Sequence, residues 1–285
     1  MSTPLRLGAV AYDPKVVTIW EGFKPWFADR GLALDYVLFS NYEAQAEAQL
    51  AGAIDLAWNS PLAWVRTRRA AAAAGGEAYA VAMRDSDRDL CSVVVVRSGD
   101  GISDVADLRG RTVAVGAVDS PQATLLPLSH LRGAGLDPDH DITVQHCDVL
   151  AGKHGDHIGG ERDAARALAD GSVDAACLLD ATHLLMTREG TLPAGFSTIL
   201  TTTPPFDHCN FTALRGNADQ GVQRFASLLL EQSYADAELR SLFDLEGLTA
   251  WLPARLEGYR ALERAVDEAG FYDHDGRITA AGYRY

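Results

Sequence analysis

Short β-rich runs alternate with amphipathic stretches from the first residues onward, which restricts the chain to sheets whose neighbouring strands are joined by helical crossovers. Residues 5–12 read as a strand, 16–30 as a helix, 33–39 as a strand and 42–49 as a helix. Ala51-Gly52 closes that helix ahead of a third strand over 54–58. Ser60-Pro61 then opens the next helix, with serine as N-cap and proline where its missing N–H costs nothing. After a strand at 79–83 the grammar restarts: strands at 91–97, 112–115 and 142–147, and helices over 122–133 and 161–170. Strands at 173–179 and 197–200 follow. Residues 201–213 carry Pro204-Pro205 into an extended run that suggests a return to the first unit. From Gln220 the pattern is helical, and 271–279 reads as a loop-like tail.

Length and charge narrow the function classes. A chain of 285 residues can bury two cores of ordinary size without disulfide staples. With 25 Lys and Arg against 39 Asp and Glu, the net charge of −14 is the wrong sign for nucleic acid or an anionic membrane. The alanine-rich run at 70–80 contains Gly75-Gly76-Glu77 and is too short for membrane insertion. The N-terminus reads straight into a strand without the basic and apolar regions of a secretory leader. That predicts a cytoplasmic location, or a periplasmic or cell-surface one if an export signal has been trimmed. Cys91, Cys147, Cys177 and Cys209 form no C-x-x-C pair, so reduced thiols and no metal site are expected. Dinucleotide, P-loop, nucleophile-elbow and EF-hand patterns are absent, and no cofactor is expected.

Three stretches together resemble the phosphate/phosphonate-binding branch of the type 2 periplasmic solute-binding proteins. Residues 42–65 run from a helix through Gly52 and the aspartate-bearing strand to Asn59-Ser60-Pro61-Leu62. Residues 102–116 lead to a loop and then to Gly133-Ala134-Gly135-Leu136-Asp137-Pro138, and residues 162–176 carry the third match. The resemblance implies an α/β, two-lobed fold, each lobe a mostly parallel sheet flanked by helices. Lobe 1 would be discontinuous, residues 1–88 plus 205–285, and lobe 2 would span 89–204, with crossovers near 84–90 and 204–211. A small polar or anionic ligand would bind in the interlobe cleft, with permease or metabolic-enzyme partners. On this mapping the ligand is lined by Tyr12, Asn59, Ser60, Asp119, Ser120, Gln122, Thr124, Arg162 and Asp180, all near strand ends. The family's hydroxyl-rich anion loop is replaced by Asp119-Ser120-Pro121-Gln122-Ala123-Thr124, and the histidine it often carries before Asp163-Ala164-Ala165 is replaced by Arg162. Asp119 brings negative charge to that loop, and Pro121 removes a donor.

The same fold also hosts cytoplasmic enzymes of lyase, dehydratase or desulfinase type, and this alternative would use Cys209 with His208, His154 and His157. Lys153-His154-Gly155-Asp156-His157-Ile158-Gly159-Gly160-Glu161 concentrates two imidazoles, two carboxylates and an amine in one glycine-rich loop. It reads as a solvated connection, a ligand-contacting lid or, least of all, a metal site. Cys209 beside His208 reads either as a small core residue or as a nucleophile. Adjacent residues of an extended strand face opposite ways, so His208 is not expected to reach Cys209. Trp20, Trp26 and Trp64 are expected in the core, and Trp58 and Tyr12 in the cleft wall.

Overall fold

The computed structural model describes residues 3–156, 158–216 and 218–285. The described residues build two five-stranded sheets and one small pair of strands. In the first sheet β1 (Leu5–Val10), β2 (Leu34–Phe39) and β3 (Leu56–Asn59) run parallel. α1 (Lys15–Ala28) and α2 (Tyr42–Leu50) supply the crossovers between them. α3 (Pro61–Ala73) then leads to β4 (Ala78–Ala80). The strand expected at 79–83 is two strands: regular pairing breaks at Val81, and β5 (Ala82–Arg84) pairs outside this sheet.

The second sheet contains β6 (Ser92–Arg97), β7 (Thr112–Val115), β8 (Thr143–His146), β9 (Ala175–Leu179) and β10 (Ser197–Thr202), in the order β10-β6-β9-β7-β8. β6 reads Ser-Val-Val-Val-Val-Arg, and its period-2 geometry sends alternate valines to opposite faces. Val93 and Val95 pack with Ala164 and Leu168, while Val94 and Val96 pack with Leu108 and Leu131. Both faces are buried, which is why the strand is apolar throughout. α4 (Leu126–Gly133), α5 (Gly159–Asp170) and α6 (Asp180–Glu189) cover this sheet. The helix expected from residue 122 begins as one π turn at Pro121–Leu125. Pro127 has no N–H to return to the Ala123 carbonyl, and Gly116 N–H takes its place at 3.1 Å.

The chain then returns to the first sheet as β11 (Asn210–Leu214), antiparallel between β3 and β4. α7 (Asp219–Glu231) and α8 (Ala237–Glu246) follow, and β12 (Trp251–Pro253) pairs with β5. α9 (Arg260–Glu268) ends the regular structure. The first core is aromatic: Phe27 stacks on Phe225 at 5.0 Å, and Trp58 lies 4.6 Å from Phe211. Burying each such ring contributes about 1.5–3 kcal/mol. Trp20, Trp26 and Trp64 are buried as well. The tail is more than a loop, since Phe271, Tyr272 and Tyr283 are buried against α3 and α9 residues.

Two connections pass between the sheets, from Arg84 to Ser92 and from Thr202 to Asn210. They run side by side: Leu90 and Phe206 exchange backbone hydrogen bonds of 2.9 and 2.8 Å. No helix among the described residues is long and apolar enough to cross a membrane.

Candidate functional site

A cavity of about 320 Å³ lies between the two sheets, lined from both connections and from both sheets' loops. Arg84, at the end of β5, forms its floor. Its Nε and Nη2 donate to Asp87 at 2.6 and 2.8 Å, and its Nη1 donates to the Glu246 carbonyl at 2.8 Å and carboxylate at 3.3 Å. Burial alone would raise the Asp87 carboxyl, but the Arg84 guanidinium, with help from His208, holds it at about 2. Glu246, equally buried, is displaced upward. One guanidinium therefore holds two buried carboxylates.

Residues 148–156 cross from the second sheet to the first as a strap. Gly152 accepts from Tyr42 N–H at 3.0 Å, and Lys153 Nζ donates to the carbonyls of Ala11 and Ser40. His154 is fully buried: Nδ1 lies 2.6 Å from Ser60 Oγ, Nε2 3.2 Å from Glu43, and the ring stacks on Tyr42 at 4.9 Å. Asp119 secures the strap's backbone, accepting from Gly152 N–H at 2.5 Å and His154 N–H at 3.3 Å. Gly155 has φ +75°, and a Cβ there would meet Ser120 Oγ at 2.4 Å, so only glycine passes this point. Asp156 then faces the cavity, bonded to the Tyr42 hydroxyl, and burial raises its carboxyl above the usual range.

Glu161 lies at the opposite wall on the first turn of α5, accepting from Leu179 N–H at 2.8 Å. Burial raises its carboxyl also. Gln122 Nε2 donates to the Gly155 carbonyl at 2.7 Å, while its Oε1 is buried without a partner. Tyr12 and Trp58 supply aromatic wall, and Ala181 and Thr182 bring the start of α6 to the edge.

Of the residues expected at the ligand, Tyr12 and Gln122 line the cavity, as do His208 and Cys209. Asn59, Ser60, Ser120 and Thr124 are buried behind it with protein partners: Gln45 and Gln49 for Asn59, His154 for Ser60, the Ala123 N–H for Ser120 and the Ala117 carbonyl for Thr124. Asp119 serves the strap rather than the cavity. Arg162 pairs outside with Glu189, because consecutive helix residues point about 100° apart and Glu161 takes the inward direction. Asp180 is exposed, and its carboxylate turns back onto Ala181 N–H at 2.6 Å. His157 lies outside the described residues. The mapping missed Arg84, Asp87, Asp156 and Glu161. The last two were visible as carboxylates of the glycine-rich segment, and the first two stood at a connection between lobes.

His208 does reach Cys209, contrary to expectation: Nδ1 lies 3.1 Å from Sγ. The pair precedes β11, so strand alternation does not apply to it. Burial, reinforced by the charges of Asp156 and Asp87, pushes the Cys209 thiol well above its ordinary value, the opposite of what a nucleophile needs. Burial likewise pushes Cys177 up to about 12. Iodoacetamide is therefore expected to modify the half-buried Cys91 and Cys147 before Cys209 and Cys177, read by peptide mass spectrometry. Faster labelling of Cys209 would restore it as a nucleophile. Asp87, His208 and Cys209 also bring possible donor atoms within 4.8 Å of one another, a grouping that no sequence spacing announced.

Two lobes enclosing a polar cavity at paired crossovers define a type 2 solute-binding protein. The family described as the periplasmic substrate-binding protein of phosphonate ABC transporters matches residues 11–259, and the chain belongs to that family. Among solved structures, it is similar to PhnD1 of Prochlorococcus marinus in complex with methylphosphonate, at 17% identity and TM-score 0.69, over 93% of this chain and 98% of that one. XAC2383 of Xanthomonas citri bound to ATP matches at 17% identity and TM-score 0.70, over 94% and 98% of the two chains. The aliphatic sulphonate binding protein SsuA of Escherichia coli matches at 22% and 0.60, over 94% and 91%. The enzyme alternative finds no support in these relationships, nor does a cytoplasmic location, since the family is a periplasmic one.

Proposed function

We propose that the chain is the ligand-capturing component of an import system, closing on a small polar ligand between lobes 1–88 plus 205–285 and 89–204. It would work outside the cytoplasmic membrane and deliver its cargo to a permease. The observation that carries this reading is the cavity at the paired connections, roofed by a strap that links the second sheet to the first. Hinged lobes joined by two strands open and close about such connections. Membership of a phosphonate-transporter family supports the import role, and structural neighbours in complex with methylphosphonate or named for sulphonates support a polar cargo.

The test is to denature protein purified from cell extract and identify the released small molecules by mass spectrometry, then add each back during small-angle scattering. A released compound that contracts the radius of gyration of stripped protein is expected. Release of nothing, together with scattering unchanged by concentrated periplasmic extract, would remove the capture role.

A further inference from the structure

Taking the cavity as the ligand site proposed above, we infer that the ligand it selects carries a protonated amine, seated among Asp156, Glu161 and the free Oε1 of Gln122. Several of the positions that would hold an anion are already filled by the chain itself. At the start of α6, Glu161 takes the Leu179 N–H. The strap's amides are taken by Asp119. The N-termini of α3 and of the π turn are capped by Ser60 and Ser120, with His154 closing over Ser60.

The guanidinium of the cavity wall is equally committed. Arg84 is spent on Asp87 and Glu246, and Lys15 Nζ donates to the Leu245 carbonyl at 2.9 Å. The carboxylates have capacity to spare. Among the described residues neither Asp156 nor Glu161 has a lysine or arginine partner within 4.0 Å. Gln122, only 4% exposed, holds an acceptor with no donor opposite it. A buried acceptor without a donor costs stability until something donates to it, and an ammonium brings three N–H groups and a positive charge together. A divalent metal at Asp87, His208 and Cys209 is the less favoured occupant, because the Arg84 fork already covers both Asp87 oxygens.

Calorimetric titration of the full chain, stripped of bound small molecules, uses pairs that differ by the amine: 4-aminobutyrate against butyrate, and 2-aminoethylphosphonate against ethylphosphonate. Putrescine and zinc chloride are titrated alongside. The amine-bearing member of at least one pair is expected to bind about 10- to 100-fold more tightly, the range of a charged hydrogen-bonded contact. Glu161→Gln should erase that preference. Gln122→Lys, which supplies its own ammonium to the same seat, should erase it while raising the melting temperature, so loss of folding is told apart from loss of the seat. Equal or tighter binding of the amine-free members overturns the inference and leaves ligand capture standing. Binding of neither pair nor of putrescine also overturns it, as does stoichiometric zinc binding that Cys209→Ser abolishes without any amine preference. Failure of ligand capture itself is read separately, from the absence of released cargo and of contraction in scattering.

Discussion

Replacing Arg84 by alanine is expected to cost about 3–5 kcal/mol of unfolding free energy at pH 8, the largest loss of any single substitution at this site. The side chain holds Asp87 by two hydrogen bonds and Glu246 by two more, and both carboxylates are almost fully buried. Without it Asp87 keeps only His208, 3.6 Å away, and Glu246 loses its guanidinium, so two buried carboxylates are left short of compensation. The loss should depend on pH in a defined direction. In the native protein Asp87, held near 2, contributes stability that is present above its unfolded value and lost only as the pH falls toward 2. In the variant, with the guanidinium gone, burial is expected to hold both carboxyls above their unfolded values. Their contribution is then complete below the unfolded values and disappears as the pH rises through the folded ones, so the deficit is greater at pH 8 than at pH 5. Urea unfolding of both proteins at the two pH values measures this, with Arg84→Lys expected between them because it keeps the charge without the fork. A deficit under about 1 kcal/mol at pH 8, the worth of a solvated pair, would refute the buried arrangement.

That triad shows where sequence reading stops. The β-α alternation exposed the strands and most helices, because periodicity is local and survives without partners. The valines of β6 and the Ser60-Pro61 helix start were legible for the same reason. Arg84 and Glu246 are 162 positions apart, and nothing near either residue says that they meet. The exchange of Glu161 for Arg162 is a matter of helical phase. A glycine-rich entry to α5 leaves that phase unset until the helix packs on β7 and β9, and one residue decides which side chain enters the cleft. His154 was visible as a member of a distinctive loop, but its burial arises from Tyr42, Glu43 and Ser60 of the other sheet. Residue type marked the segment as chemical, and only the tertiary fold separated the group that faces the cavity, Asp156, from the one that fastens the strap.

Replacing His154 by alanine is expected to release that strap while leaving the two sheets folded. The imidazole satisfies Ser60 Oγ and Glu43 at once and fills the space over Tyr42. Its removal leaves a void and two buried polar groups short of a partner, a cost of about 2–4 kcal/mol. Glu43 keeps Arg66 at 2.6 Å and the Tyr272 hydroxyl at 2.7 Å, so its charge stays compensated and the damage is confined to the strap. Local opening is the sensitive readout, because exchange of a backbone amide reports the free energy of exposing that amide alone. The N–H groups of Tyr42, Gly152 and His154 each donate across the strap, to the Gly152 carbonyl and to Asp119. Residue 154 retains its N–H as alanine. These three should exchange about 30- to 1000-fold faster in the variant, the rate equivalent of the lost energy, while the amides of β6 keep their protection. His154→Gln, which can still hydrogen-bond within the same space, should recover part of the effect. Ligand affinity should fall with the strap's protection, since Asp156 enters the cavity only while residues 152–154 are docked. Unchanged exchange at all three amides would mean that Lys153 and Asp119 hold the strap unaided, and the imidazole would then be filling space rather than fastening the lobes.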